Sequence, residues 1–216
     1  SGLLVALHHR HPGSPLGEHV SEIRHAADRA RSLVRDLLDF SRDRPLRLEP
    51  VDLNEVVRDS LRVLPALLGR EMALEHDLAE DPLPIRGESD RLRQVILNLA
   101  TNARDAAEGR GRFRLETRAV DRAELPSRLL DGLEGHAFAV LTALDDGPGM
   151  EPEVREHVFD PFYTTKPPGS GSGMGLTTLH ATVERHGGRV VLDSEPGRGA
   201  RFDVVLPLAE APVTEA

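Results

Sequence analysis

The chain has no cysteine and no tryptophan, and only one tyrosine and six phenylalanines among 216 residues. The missing cysteine excludes a disulfide framework, thiolate catalysis and cysteine metal centres, and suits a reducing compartment. So few aromatics leave little on which single-stranded nucleic acid could stack, and the core falls to Leu, Val, Ile and Ala. Positive charge is also short. A net charge of -9 and a pI near 5.6 give no broad attraction for nucleic acid or anionic lipid, so phosphate chemistry must rest on local cations and backbone amides. No apolar run approaches the roughly 18 residues that cross a bilayer, and the first residues lack a charged-then-apolar export pattern. A cytoplasmic location with no direct membrane span is expected, and no internal repeat is present.

What is present divides into a small N-terminal part and one larger domain. Over residues 16–37, Leu16, Val20, Ile23, Ala27, Ala30, Val34 and Leu37 alternate steps of four and three, the seam of a helix packing on helices. Ser14 and Pro15 start it well, and residues 3–11 before the Pro12-Gly13 turn add a short first arm. The pattern predicts a helical hairpin over 1–44, a linker over 45–52 bracketed by Pro45 and Pro50, a main domain over 53–210 and a tail over 211–216. Within the main domain, helices are expected at 53–68, 89–107 and 174–186, the last stopped by Gly187 and Gly188. Strands are expected at 113–119, 137–144, 189–193 and 201–206, the last two paired as a hairpin, with an irregular insertion at 121–135. The fold class is α+β, a two-layer α/β sandwich with helices on one sheet face.

Three constellations carry chemistry. Asn98 and Asn102 lie four apart on the 89–107 helix, so they share a face that Asp105 continues. An amide oxygen there suits magnesium, which prefers hard oxygens and bridges substrate phosphates, although asparagines on a solvated helix face are common. Asp145 ends an apolar strand and precedes Gly147 and Gly149. Such a carboxylate can accept a hydrogen bond from an exocyclic amine such as that of adenine while glycine lets backbone approach the ring; an ordinary Asp-Gly turn is the alternative. Gly171, Gly173 and Gly175 precede a helix, and so offer amides and a helix N-terminus to phosphate, or a flexible linker. The 171–176 loop has no Gly-Lys-Ser/Thr ending, and no early Gly-x-Gly-x-x-Gly follows a strand, which rejects a Walker loop and a dinucleotide fold.

Taken in order, the 98–106, 145–150, 159–166, 171–176 and 197–202 segments resemble the N, G1, F, G2 and final glycine boxes of the Bergerat ATP-binding fold. Their form is that of the catalytic domain of bacterial two-component sensor histidine kinases, with the Asn-Ala-Arg-Asp-Ala string similar to the nitrogen-regulation subgroup. The resemblance spans about 51–208, and the 16–42 helix resembles the second helix of the family's dimerisation and histidine-phosphotransfer hairpin. It implies that Asn102 holds magnesium with help from Asn98, that Asp145 reads the adenine amine and that Gly147 and Gly149 shape the adenine pocket. Gly171, Ser172, Gly173, Met174, Gly175 and Leu176 would form the phosphate-facing loop, inside a lid over 152–171. Lys166 is the nearest obvious cation for a terminal phosphate, and Asp105 occupies the place where other branches carry a phosphate-facing lysine.

The implied activity is transfer of the γ-phosphoryl group of Mg-ATP to a histidine, for relay to an aspartate on a response regulator receiver domain. The hydrolytic branches keep a glutamate where this chain has Asn98, which favours transfer over hydrolysis. Aligning the family's acceptor motif places its histidine before Ser1, so a histidine-bearing phosphotransfer helix is an expected partner, as is a homodimer formed through the hairpin. His8, His9 and His11 read as a solvated helix end. The alternatives are a nucleotide-responsive module that phosphorylates nothing and, disfavoured by Asn98, a Bergerat-fold ATPase.

Overall fold

The computed structural model describes residues 46–130, 132–167 and 171–209. The expected hairpin and tail lie outside them. The described part opens with a strand, β1 (Glu49–Asp52), in what the sequence placed as linker. It pairs antiparallel with β3 (Pro84–Gly87), a ribbon too short and proline-bearing to show an alternating pattern. Asp52 then caps helix α1 (Leu53–Leu61): its Oδ1 accepts from the Asn54 amide at 3.0 Å and from the Leu83 amide at 2.9 Å. The single helix expected over 53–68 is two. Helix α2 (Leu64–Leu68) starts afresh with Pro65 in its first turn, where its missing N–H costs nothing.

A five-stranded sheet has the order β2-β4-β5-β7-β6. Its strands are β2 (Met72–Asp77), β4 (Gly111–Asp121), β5 (Ala137–Asp145), β7 (Ala200–Pro207) and β6 (Arg189–Ser194). β2 runs parallel to β4 because β3 and helix α3 (Ser89–Ala106) make the crossover between them; the remaining pairs are antiparallel. Between β4 and β5 the insertion forms a 3₁₀ turn (Arg122–Glu124) and helix α4 (Ser127–Leu130). Helix α5 (Pro152–His157) and helix α6 (Gly175–Arg185) complete the fold.

Alternation along the strands decides which face is covered. Phe113 and Leu115 of β4, Ala139, Leu141 and Ala143 of β5, and Phe202, Val204 and Leu206 of β7 point one way. They join the α3 stripe of Leu92, Val95, Ile96, Leu99, Ala100 and Ala103 in the main core. The other face holds a small cluster, Val120, Leu133, Phe138, Val140 and Val205, beneath the insertion. Elsewhere it is polar: Thr142 donates to Asp203 Oδ1 at 2.5 Å, and Arg201 pairs with the same carboxylate.

Two buried polar ties lock the helix layer. Asn54, fully buried, donates to the Ala79 and Asp81 carbonyls and accepts from Thr117 at 2.6 Å. His186, just past α6, holds the Thr182 carbonyl at 2.7 Å through Nδ1 and accepts the Glu88 amide at 3.1 Å through Nε2. That fixes a neutral imidazole, and burial lowers its pKa further. Helices α3 and α6 therefore meet in a set orientation, and the candidate site lies between them.

Candidate functional site

Asn98 and Asn102 project from α3 toward the first residue of α6. Asn98 commits both ends of its amide to the protein: Nδ2 donates to the Gly175 carbonyl at 3.0 Å and Oδ1 accepts from Gln94 at 2.9 Å. It ties α3 to α6, a positioning task the sequence did not suggest. Asn102 is different. Its Nδ2 is buried without a hydrogen-bond partner among the described residues, an unpaired state that costs about 1–3 kcal/mol and marks a place where a ligand is expected. A β-carbon built on Gly175 would lie 4.0 Å from that nitrogen and touch nothing else. The N-cap residue of α6, Met174, makes no side-chain cap hydrogen bond, which leaves that capping place to a ligand anion.

Asp145 sits half-buried at the end of β5, and its Oδ1 accepts from the Gly147 amide at 3.0 Å and the Ala200 amide at 3.3 Å. Burial raises its pKa; the Gly147 and Ala200 amides pull it back, and the Asp146 charge pushes it up again. Asp146 faces away: it accepts from the Arg112 amide at 2.6 Å and pairs with the Arg112 guanidinium, clamping the turn to β4. The two glycines of the turn have separate reasons. Gly147 leaves room beside Asp145 Oδ1 and Ala106, at the floor of the site. Gly149, at φ 72°, packs against the Glu195 carbonyl in the β6–β7 turn, a close approach that glycine permits.

The segment between α5 and α6 folds back on itself. Phe162, 62% exposed and at φ 66°, donates its amide to the Gly173 carbonyl at 3.1 Å, and Gly173 has no room for a side chain against Phe162. The ring of Phe159 packs on His180, 5.0 Å between centroids. Lys166 crosses to α3, its Nζ 2.7 Å from Asp105 Oδ2. The other Asp105 oxygen accepts from Arg104 Nη2 at 2.6 Å and Nε at 2.9 Å, and Arg104 Nη1 is anchored on the Leu67 carbonyl at 3.1 Å. Burial alone would raise the Asp105 pKa, but the Lys166 and Arg104 bonds and charges outweigh it and hold it below the ordinary value. Arg104, Asp105, Glu108, Gly109, Lys166 and Pro167 line a cleft of about 490 Å³.

The structure thus brings Asn98, Asn102, Gly175, Asp105 and Lys166 around the C-terminal half of α3, with Asp145 and Gly147 beside Ala106 and Ala107. Gly171 sits against the Lys166 stem. Ser172 accepts from the Met174 amide at 3.3 Å. Met174 is 1% exposed, so its backbone is what can face a ligand, while Leu176 is partly buried against the core. Sequence reasoning missed the Ala200 amide, which reaches Asp145 through β7 pairing, and the Arg104 anchor. The ordinary signal for the second was a cation adjacent to Asp105.

The chain is similar to known proteins over most of its length. A family model described as histidine kinase-, DNA gyrase B-, and HSP90-like ATPase matches residues 87–210. The sensor kinase CckA of Brucella abortus (strain 2308) is 36% identical over 204 residues, covering 94% of this chain and 22% of that protein. The crystal structure of full-length ShkA in complex with AMPPNP superposes with a TM-score of 0.73 at 26% identity, covering 97% of this chain and 42% of that one. The mycobacterial sensor histidine kinase MprB gives a TM-score of 0.60 at 28% identity over 76% of this chain and 99% of its own. The chain spans less than half the length of the curated relatives it matches. Among the described residues no helix is long and apolar enough to cross a membrane.

Proposed function

We propose that this chain, which belongs to the histidine kinase-, DNA gyrase B-, and HSP90-like ATPase family and has the Bergerat fold, is the ATP-binding catalytic core of a bacterial sensor histidine kinase. In this reading Asp145 accepts from the adenine amine through the oxygen its turn leaves over, and Gly147 shapes the adenine pocket by sparing Asp145 Oδ1 a β-carbon 2.8 Å away. The phosphates lie along the uncapped start of α6, and Gly175 is glycine because a ligand, with no protein atom in the way, needs that space.

Magnesium fits the donor set on α3. Among the described residues the unpaired Asn102 atom is Nδ2, a donor suited to a phosphate oxygen, and its Oδ1 is the hard oxygen that magnesium would take beside the phosphates. Asn98, bonded at both ends, holds α6 against α3 and so aims Asn102. When bound there, the ion would partly neutralise the phosphate charge. Lys166 supplies a movable cation for the terminal phosphate.

The observation that carries the reading is the orphaned Asn102 amide facing a glycine at an uncapped helix start. Hydrolysis is disfavoured on the same face of α3: Asn98 stands where the hydrolytic branches keep a base. Asp105, with both oxygens bonded to cations and its pKa lowered, is too weak a base to activate water. The γ-phosphoryl group therefore goes to a delivered nucleophile, a histidine on a phosphotransfer helix, and on to a response regulator receiver domain. A dimer through the 1–44 segment, the linker and the tail complete the proposed organisation.

Incubation of the full chain with γ-labelled ATP and a separate histidine-bearing hairpin tests this. Acid-labile label on the hairpin supports the kinase reading. ATP binding without transfer would make the chain a nucleotide-responsive module, and release of free phosphate without transfer would make it an ATPase.

A further inference from the structure

We infer that Asp105 restrains the nucleotide site's preference for a triphosphate over a diphosphate, by holding Lys166 in an ion pair from which only a γ-phosphate draws it. The inference rests on the ATP reading above. Its starting point is the asymmetry of the pair. Asp105 is fixed: one oxygen is gripped twice by Arg104, and Arg104 is itself pinned to the Leu67 carbonyl of α2. Lys166 is the mobile partner, a four-carbon stem with three rotatable donors on a loop whose local hold is the Lys166 amide on Thr164 Oγ1 at 3.2 Å.

Both side chains are less than one-third exposed, at 29% and 23%, so the pair is worth more than a surface pair but can still be exchanged. It stands on the wall of the 490 Å³ cleft, where an anion can reach the ammonium. When Lys166 leaves, Asp105 keeps Arg104 and is not stranded as a buried unpaired carboxylate. The side chain therefore has two discrete places, each with a partner, and a ligand shifts it only by its differential interaction with the two. A nucleotide whose phosphates stop short of Lys166 leaves the ion pair intact and gains nothing from it. One with a terminal phosphate gains a charge-assisted contact and gives up the pair. Asp105 thus acts as a competitor whose cost falls on ATP alone, and Lys166 as the group that makes the difference.

Titration of ATP and of ADP, each with magnesium, into the full chain and into Asp105→Asn, Lys166→Met and the double variant tests this, with thermal melts confirming that each folds. Asp105→Asn is expected to bind ATP about fivefold tighter, about 1 kcal/mol, with ADP affinity unchanged. Lys166→Met is expected to lose roughly tenfold for ATP and nothing for ADP. In the Lys166→Met background the Asp105→Asn effect is expected to vanish. Tightening of ATP and ADP alike, or an Asp105→Asn gain that persists without Lys166, would show plain charge repulsion and overturn the inference. So would weakened ATP binding by Asp105→Asn. Wild-type chain that binds neither nucleotide overturns the ATP reading itself; wild-type binding with an additive cycle overturns only the competition.

Discussion

Replacing Asp145 by Asn separates its two tasks. In the native turn Oδ1 accepts from the Gly147 and Ala200 amides, at 3.0 and 3.3 Å. An asparagine can keep its carbonyl oxygen on those amides, so the turn survives. What changes is the other position, where an NH₂ donor replaces the carboxylate oxygen and meets the donating amine of adenine. A mispaired donor in a partly buried place costs about 1–3 kcal/mol, roughly 5- to 150-fold in Kd for ATP. The same amide suits the O6 acceptor of guanine, so the preference for ATP over GTP should narrow or reverse. Stability should move the other way. The Asp145 pKa is raised, so the folded state binds this proton more tightly than the unfolded one; its contribution is present below the ordinary carboxylate value of 3.8 and lost as pH rises through the folded value. At neutral pH the buried charge is a liability, and Asp145→Asn should melt no lower than wild type. Calorimetric titration with ATP and GTP, beside thermal melts, reads both. An ATP Kd within twofold of wild type with the ATP/GTP ratio unmoved would refute the reasoning.

Gly175→Ala and Gly149→Ala should fail in opposite ways. Gly175 has room in the protein, so alanine should leave the melting temperature unchanged or higher while weakening ATP binding at least tenfold by filling the phosphate's place. Gly149→Ala meets the Glu195 backbone at positive φ, and denaturant melts should show a loss of about 2 kcal/mol or more. The depressed His186 pKa makes its stabilisation full above its ordinary 6.5 and lost as pH falls through the folded value; His186→Gln should flatten the stability-pH curve below 6.5 and cost about 2 kcal/mol above it. Ile96→Ala, with no exposed side chain at that position, should cost about 2–5 kcal/mol in the same melts.

Long, strongly periodic elements were legible in the sequence, and short ones were not. Helix α3 was expected over 89–107 and ends at Ala106, because its apolar stripe repeats for eighteen residues. β5 and β7 were legible because both alternate or run apolar against a buried face. β1 and β3, four residues each, carry prolines, pair with one another and meet the main sheet through a single Ile85–Leu208 bridge; their register comes from tertiary packing, which no local pattern announces. β2 carries Glu75, His76 and Asp77 on the sheet edge and reads as polar loop. In the candidate site, the glycine spacing and the Asn98-Asn102 pair picked out residues that the fold brings close together, while their separate contacts needed coordinates. Gly149 lies close against the Glu195 backbone, and Asn98 joins two helices. The Asp105–Lys166 pair spans 61 residues of sequence, a separation at which spacing carries no information.

The most direct test of the account is calorimetric titration of the full chain with ATP, with and without magnesium, beside Asn102→Ala. The account predicts one ATP per chain, tighter by at least several-fold with magnesium, and an Asn102→Ala variant that folds normally and no longer responds to the ion. No binding at millimolar ATP, or an affinity indifferent to both magnesium and Asn102, would contradict it.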